Sequence, residues 1–109
     1  MSYSVKYIPK FGKELKKLVK KYPSLKLEFA QLIESLKDNP QQGTSLGKNC
    51  YKIRLSVASK EKGKSGGTRV ITCIIVSDKT IYLLTIYDKS NKETLTDKEL
   101  KELVNEVFE

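Results

Sequence analysis

Histidine is absent from the 109 residues. That removes serine–histidine and cysteine–histidine nucleophile pairs and histidine-based metal sites. Any proton transfer performed by this chain falls to lysine, tyrosine, carboxylate or bound water. Cysteine is scarce: Cys50 and Cys73 both sit inside strand-like runs, where cysteine behaves as a small hydrophobe. Two cysteines without histidine make a poor zinc site, and no metal or cofactor is expected. No apolar run of about 18 residues occurs. The opening M-S-Y-S-V-K-Y lacks the apolar core of a signal peptide. The expectation is a cytoplasmic protein, whose reducing surroundings argue against a disulfide. Arginine is the last shortage. Of 21 basic residues only Arg54 and Arg69 are arginines.

What remains is a short, basic chain. Its length corresponds to one domain spanning residues 1–109, and 39% hydrophobic against 31% charged residues allows a modest core. A net charge of +8 draws nucleic acid, anionic membrane or an acidic protein partner without choosing among them. The most informative stretch is 49–57, N-C-Y-K-I-R-L-S-V. Tyr51, Ile53, Leu55 and Val57 point one way while Lys52, Arg54 and Ser56 point the other, the period of a half-buried strand. Both arginines fall in strand-like runs, and arginine presents a planar, permanently charged fork suited to phosphate. The pattern suggests an oxyanion site.

Along the chain, 3–8 alternates and stops at Pro9, which reads as a short strand near a sheet edge. Phe11, Leu15, Leu18, Val19 and Tyr22 recur at helical spacing, with Lys10, Lys13, Lys16, Lys17, Lys20 and Lys21 between them. Pro23 opens a second helix, striped by Leu25, Phe29, Leu32, Ile33 and Leu36 and stopped at Pro40. Residues 41–47 read as a loop and 58–67 as a long polar connection. The runs 68–76 and 80–87 are apolar on both faces, as in central strands, and a three-strand antiparallel meander is the simplest pairing. Thr96 and Glu99 form a capping box before a last helix striped by Leu100, Leu103, Val104 and Val107. The class is α+β, with an N-terminal strand and a helical hairpin packed on a small antiparallel sheet.

Three features invite a chemical reading. The lysines of the first helix suit a surface that tracks phosphates, and equally a solvated face. Gly63-Lys64-Ser65 resembles the end of a phosphate-binding loop. However, Ala58 stands where the first glycine is needed, and a strand rather than a helix follows, so nucleotide binding is rejected. Lys62 and Lys64 are then cations of a basic loop. The third feature is Lys52, Arg54, Arg69 and Lys89, which antiparallel pairing brings to one region. Clustered cations stabilise an attacked phosphodiester, and crowding makes a lysine easier to deprotonate.

N-C-Y-K-I-R-L, G-K-S-G-G-T-R-V-I and L-L-T-I-Y-D-K-S-N-K-E-T-L-T together resemble the toxins of type II toxin–antitoxin modules, the RelE/ParE superfamily, and most of all its HigB-like branch. The resemblance covers nearly the whole chain. It implies a RelE-like fold and a metal-independent, ribosome-dependent mRNA endonuclease, an mRNA interferase that inhibits translation. Such enzymes use the nucleotide's own 2′-hydroxyl to attack the adjacent phosphate in the A site. On this resemblance Lys52 abstracts the proton and Arg54 and Arg69 hold the phosphate, while protonation of the leaving group stays unassigned, with Lys89 and Asp88 as its candidates. Lys13, Lys16, Lys17, Lys20, Lys62 and Lys64 would contact RNA. The implied partners are messenger RNA on the ribosome and a cognate antitoxin in a hetero-oligomer, with no membrane. Ser90 stands where the prototype has a further arginine, and 92–96 offers no counterpart to its late tyrosine. A ParE-like inhibitor of DNA gyrase, or a non-catalytic antitoxin-binding relative, is the alternative.

Overall fold

The computed structural model describes residues 3–58, 67–89 and 95–108. The order is β1 (Ser4–Tyr7), α1 (Pro9–Lys21), α2 (Leu25–Asp38), β2 (Thr44–Gly47), β3 (Cys50–Leu55), β4 (Thr68–Ile75), β5 (Thr80–Asp88) and α3 (Asp97–Phe108), with one 3₁₀ turn before β5. Pro9 opens α1, where its missing N–H costs nothing. Tyr22 closes α1, its amide donating to the Leu18 carbonyl at 2.7 Å. Helix α2 begins two residues later than the sequence suggests. Pro23 and Ser24 form a turn in which the Leu25 amide reaches the Tyr22 carbonyl, 2.9 Å. The capping box at α3 is reciprocal: the Thr96 amide donates to Glu99 Oε1 at 2.9 Å, and the Glu99 amide to Thr96 Oγ1 at 3.1 Å.

The expected meander of β3, β4 and β5 is present, but it lies within a five-stranded mixed sheet of order β1-β5-β4-β3-β2. Two corrections to the sequence reading follow. Strand β1 pairs parallel to β5, from Ser4 opposite Thr80 to Tyr7 opposite Leu83. Its direction is set by α1, which starts just after it and runs on along β5, so both strands advance the same way. Residues 44–47, read as loop, form an edge strand. The two-residue turn Lys48-Asn49 joins β2 to β3, both residues having positive φ, 54° and 64°. That hairpin geometry is signalled by Asn-Gly or Asp-Gly, and a lysine at its first position hides it.

Helices α1 and α2 cover one sheet face. Phe11, Leu25, Leu32 and Leu36 are buried there in the same core cluster as Ile53, Val70 and Ile86. Phe11 packs between Tyr7 and Phe29, ring centroids 6.0 and 5.6 Å away. Strand alternation sends Cys50, Lys52 and Arg54 to the opposite face, where α3 lies. One flank of α3, with Leu103, meets Thr85 and Tyr87, and the other, with Leu100 and Val104, meets Cys50. Leu84 is the extra residue of a bulge in β5, since Ile71 pairs with Thr85 and Thr72 with Leu83. Among the described residues no helix is long and apolar enough to cross a membrane.

Candidate functional site

The register brings three side chains into one row on the α3 face. Arg54 lies opposite Arg69, and Arg69 opposite Tyr87. The Ile74 amide bonds to the Asn49 carbonyl at 2.9 Å, so 49 and 74 form a hydrogen-bonded pair of the β3–β4 ladder. By alternation Arg54 and Arg69 are a non-hydrogen-bonded pair, in which Cα atoms approach to about 4.5 Å and side chains are closest. Like charges set directly opposite each other destabilise a sheet. Among the described residues no carboxylate relieves them: the ion pairs are Lys10–Glu14 and Lys37–Glu34, on the helices. Arg69 is only 6% exposed, and its Nη1 donates to the Thr68 carbonyl at 3.5 Å, the limit of a hydrogen bond. Two adjacent guanidinium groups, one sunk and one exposed, suit an anion held between them.

Lys52 and Lys89 flank this row. Lys52, half-buried, stands two residues from Arg54 on the same face, about 7 Å along the strand. Lys89 is exposed at the end of β5, its amide donating to the Gly67 carbonyl at 2.7 Å. Lys52, Arg54 and Arg69 therefore share one face, and Lys89 stands exposed just past the end of the neighbouring strand. Gly43 abuts the β3 backbone at Lys52. Its φ is +92°, and a Cβ there would lie 2.3 Å from the Lys52 carbonyl oxygen. Gly43→Ala is expected to cost about 2 kcal/mol or more, from the left-handed backbone and the displaced β3 together, and to lower any activity that depends on Lys52. Thermal melting and a parallel activity assay check this.

Asp88 does not belong to the cluster, which corrects its place as a candidate proton donor. It is 1% exposed and its Oδ2 accepts the Tyr22 hydroxyl at 2.9 Å, on the α1 and α2 side of the sheet. Strand parity turns it away from Arg54 and Arg69. Sequence reading missed Tyr87, which lay inside an apolar run and joins Arg69 only through the register. It also missed what Glu14 does. Glu14 Oε1 accepts from the Thr85 hydroxyl at 2.7 Å and the Ile86 amide at 3.2 Å, while its other oxygen meets Lys10.

Lys13, Lys16, Lys17 and Lys20 are exposed on α1. Lys17 and Lys21 line a groove of about 250 Å³ with Tyr87 and Asp88, so part of the helix's charge adjoins the row. Lys62 and Lys64, with Ser90, lie outside the described residues. Among the described residues no group of three histidine, cysteine or acidic side chains is placed to hold a metal ion.

Fold and site define a class: a small basic α+β domain with two helices on one sheet face and, on the other, a C-terminal helix beside a row of cations. Solved structures with this fold include a free-state mutant of the Escherichia coli toxin RelE. It is 17% identical, with a TM-score of 0.66 over 98% of this chain and 99% of that one. The intact E. coli RelBE toxin–antitoxin complex matches over 80% of this chain and 96% of that chain, at 17% identity and a TM-score of 0.61. The RelBE2 toxin–antitoxin complex of Mycobacterium tuberculosis matches at 20% identity and a TM-score of 0.55, over 81% and 92%. The family model of the RelE toxin of the RelE/RelB toxin–antitoxin system matches residues 11–107. The chain belongs to the RelE toxin family.

Proposed function

We propose that this protein is a ribosome-dependent mRNA endonuclease of a type II toxin–antitoxin module. The observation that carries the reading is the side-by-side pair Arg54 and Arg69, with Lys52 on the same face and no described carboxylate among them. In this mechanism the two guanidinium groups hold the scissile phosphate and take up the charge that grows on it during attack. Lys52 removes the proton of the 2′-hydroxyl. The 2′-oxygen bonds to phosphorus and the 5′-oxygen leaves, taking a proton from Lys89, which is exposed at the end of β5. The products are a 2′,3′-cyclic phosphate and a 5′-hydroxyl, and no metal is required. Exposed lysines of α1, Lys13, Lys16, Lys17 and Lys20, supply contacts to ribosomal RNA, with Lys62 and Lys64 assigned the same task from sequence alone.

The relatives solved with antitoxins support an antitoxin partner here. An acidic segment that folds on binding would neutralise the same basic surface.

The test is primer extension on a defined message carried by programmed ribosomes. Cleavage within the A-site codon is expected with the protein and only when ribosomes are present. Lys52→Ala and Arg54→Ala are each expected to slow it about 10²- to 10³-fold, the usual loss for one group that stabilises developing charge. Growth arrest without cleavage, accompanied by inhibition of gyrase supercoiling, would replace this reading with the ParE-like one. Neither activity would leave a protein that only binds its antitoxin.

A further inference from the structure

We propose that Cys50 and Cys73 are a peroxide-responsive dithiol, closing to a reversible disulfide across β3 and β4. Both are free thiols, at 0% and 2% exposure, and each is the other's partner in the strand register. By the ladder parity set by the Asn49–Ile74 bond, they form a non-hydrogen-bonded pair. Such pairs hold Cα atoms about 4.5 Å apart, inside the span of about 4.4–6.8 Å that a disulfide bridges. Cys50 borders a groove of about 630 Å³ between α3 and the sheet, lined also by Lys48, Leu100, Lys101 and Val104, through which a small oxidant reaches the pair.

The thiols have unequal roles. The closeness of the two sulfurs draws the Cys73 thiol below its ordinary range, while the same closeness and burial push Cys50 up, and the Cys50 thiol donates to the Lys48 carbonyl at 3.6 Å. Cys73 is the more readily ionised of the two and so the sulfur oxidised first, with Cys50 resolving. The Cys73 thiolate attacks one oxygen of hydrogen peroxide, the O–O bond breaks, and hydroxide leaves, giving a sulfenic acid. Cys50 sulfur then attacks the Cys73 sulfur, the S–O bond breaks, and hydroxide leaves while the Cys50 proton passes to it. Two thiols and one peroxide yield one disulfide and two waters. The Cα separation lies at the short end of the disulfide range, which favours a strained bridge, and strained bridges are readily reduced by cellular dithiols. Lys52, Arg54 and Arg69 all lie between the two cysteines, inside the loop that the bridge would close. The proposal rests on sheet register and not on the RNA-cleavage reading.

The experiment treats the reduced, folded full-length protein with hydrogen peroxide, quenches with iodoacetamide and weighs the intact chain. The expected product has lost two hydrogens, resists alkylation, maps to a Cys50–Cys73 peptide, and regains both thiols with dithiothreitol. In Cys50→Ser, Cys73 is expected to stop at the sulfenic acid, which dimedone traps. Cys73→Ser is expected to react with peroxide at least tenfold more slowly than Cys50→Ser, since only the thiolate is a strong nucleophile. Peptide mapping of the unmutated protein decides the matter even if a variant fails to fold. Two alkylatable thiols after peroxide treatment, or only intermolecular dimers, would overturn the proposal. Trapping at Cys50 in Cys73→Ser as fast as at Cys73 in Cys50→Ser would overturn its assignment of roles.

Discussion

Arg69→Met is expected to make the protein more stable and inactive at once. Arg69 is a cation at 6% exposure that lies directly across the ladder from Arg54. Among the described residues no carboxylate pairs with it; burying a charge so is unfavourable, and the like charge opposite adds to it. Methionine keeps much of the arginine stem's volume and removes both penalties. A gain of about 1–2 kcal/mol is expected, or roughly 4–8 °C in Tm for a domain near this size. Cleavage on programmed ribosomes is expected to fall at least about 10²-fold, because half of the guanidinium pair is gone. Inorganic phosphate separates the two effects. It is expected to raise the Tm of the unmutated protein by binding the folded state, and to raise that of Arg69→Met much less. A variant that melts well below the parent would show that Arg69 is a structural anchor. The anion site would then lose its physical basis.

Glu14→Ala is expected to produce the opposite result, a large loss of stability from a residue that reads as one acid in a row of lysines. Strand β1 pairs with β5 only as far as Leu83. Beyond that point no strand among the described residues neighbours the outer edge of β5, yet Ile86 is 1% exposed. Glu14 fills the gap, accepting from the Ile86 amide at 3.2 Å and the Thr85 hydroxyl at 2.7 Å. Removing it leaves a buried amide unsatisfied and breaks two bonds to a charged group. About 3 kcal/mol is expected in total, or roughly 12 °C in Tm. Glu14→Gln keeps an acceptor oxygen and is expected to lose about a third of that. Hydrogen exchange at the Ile86 amide, slow in the parent, is expected to speed up in Glu14→Ala. An unchanged Tm would mean that water replaces the carboxylate at this edge and that the lysine row owes nothing to it.

Legibility followed the range of the forces involved. The helix α1 stripe, its proline start and its stop at Tyr22 came from spacings of three and four residues, and so did the capping box of α3. The alternation of β3 placed Lys52 and Arg54 on one face correctly, because period two is a property of the strand itself. Strand β2 escaped because its turn uses Lys48 where glycine or asparagine ordinarily signals positive φ. The parallel entry of β1 escaped because it depends on where α1 packs, not on the four residues of the strand.

By itself, the sequence determined the α+β class, the basic helix face, the apolar central strands and the confinement of both arginines to the sheet. These are local patterns of period and composition. Only the tertiary structure decided that Arg54 meets Arg69, that Tyr87 completes their row, that Cys50 meets Cys73, and that Asp88 turns to the helices. Each of these depends on cross-strand register, and a slip of one residue would exchange the two faces of a strand. Register is settled by the whole core at once: Ile53, Val70 and Ile86 all bury against α1 and α2 in only one alignment of β3, β4 and β5.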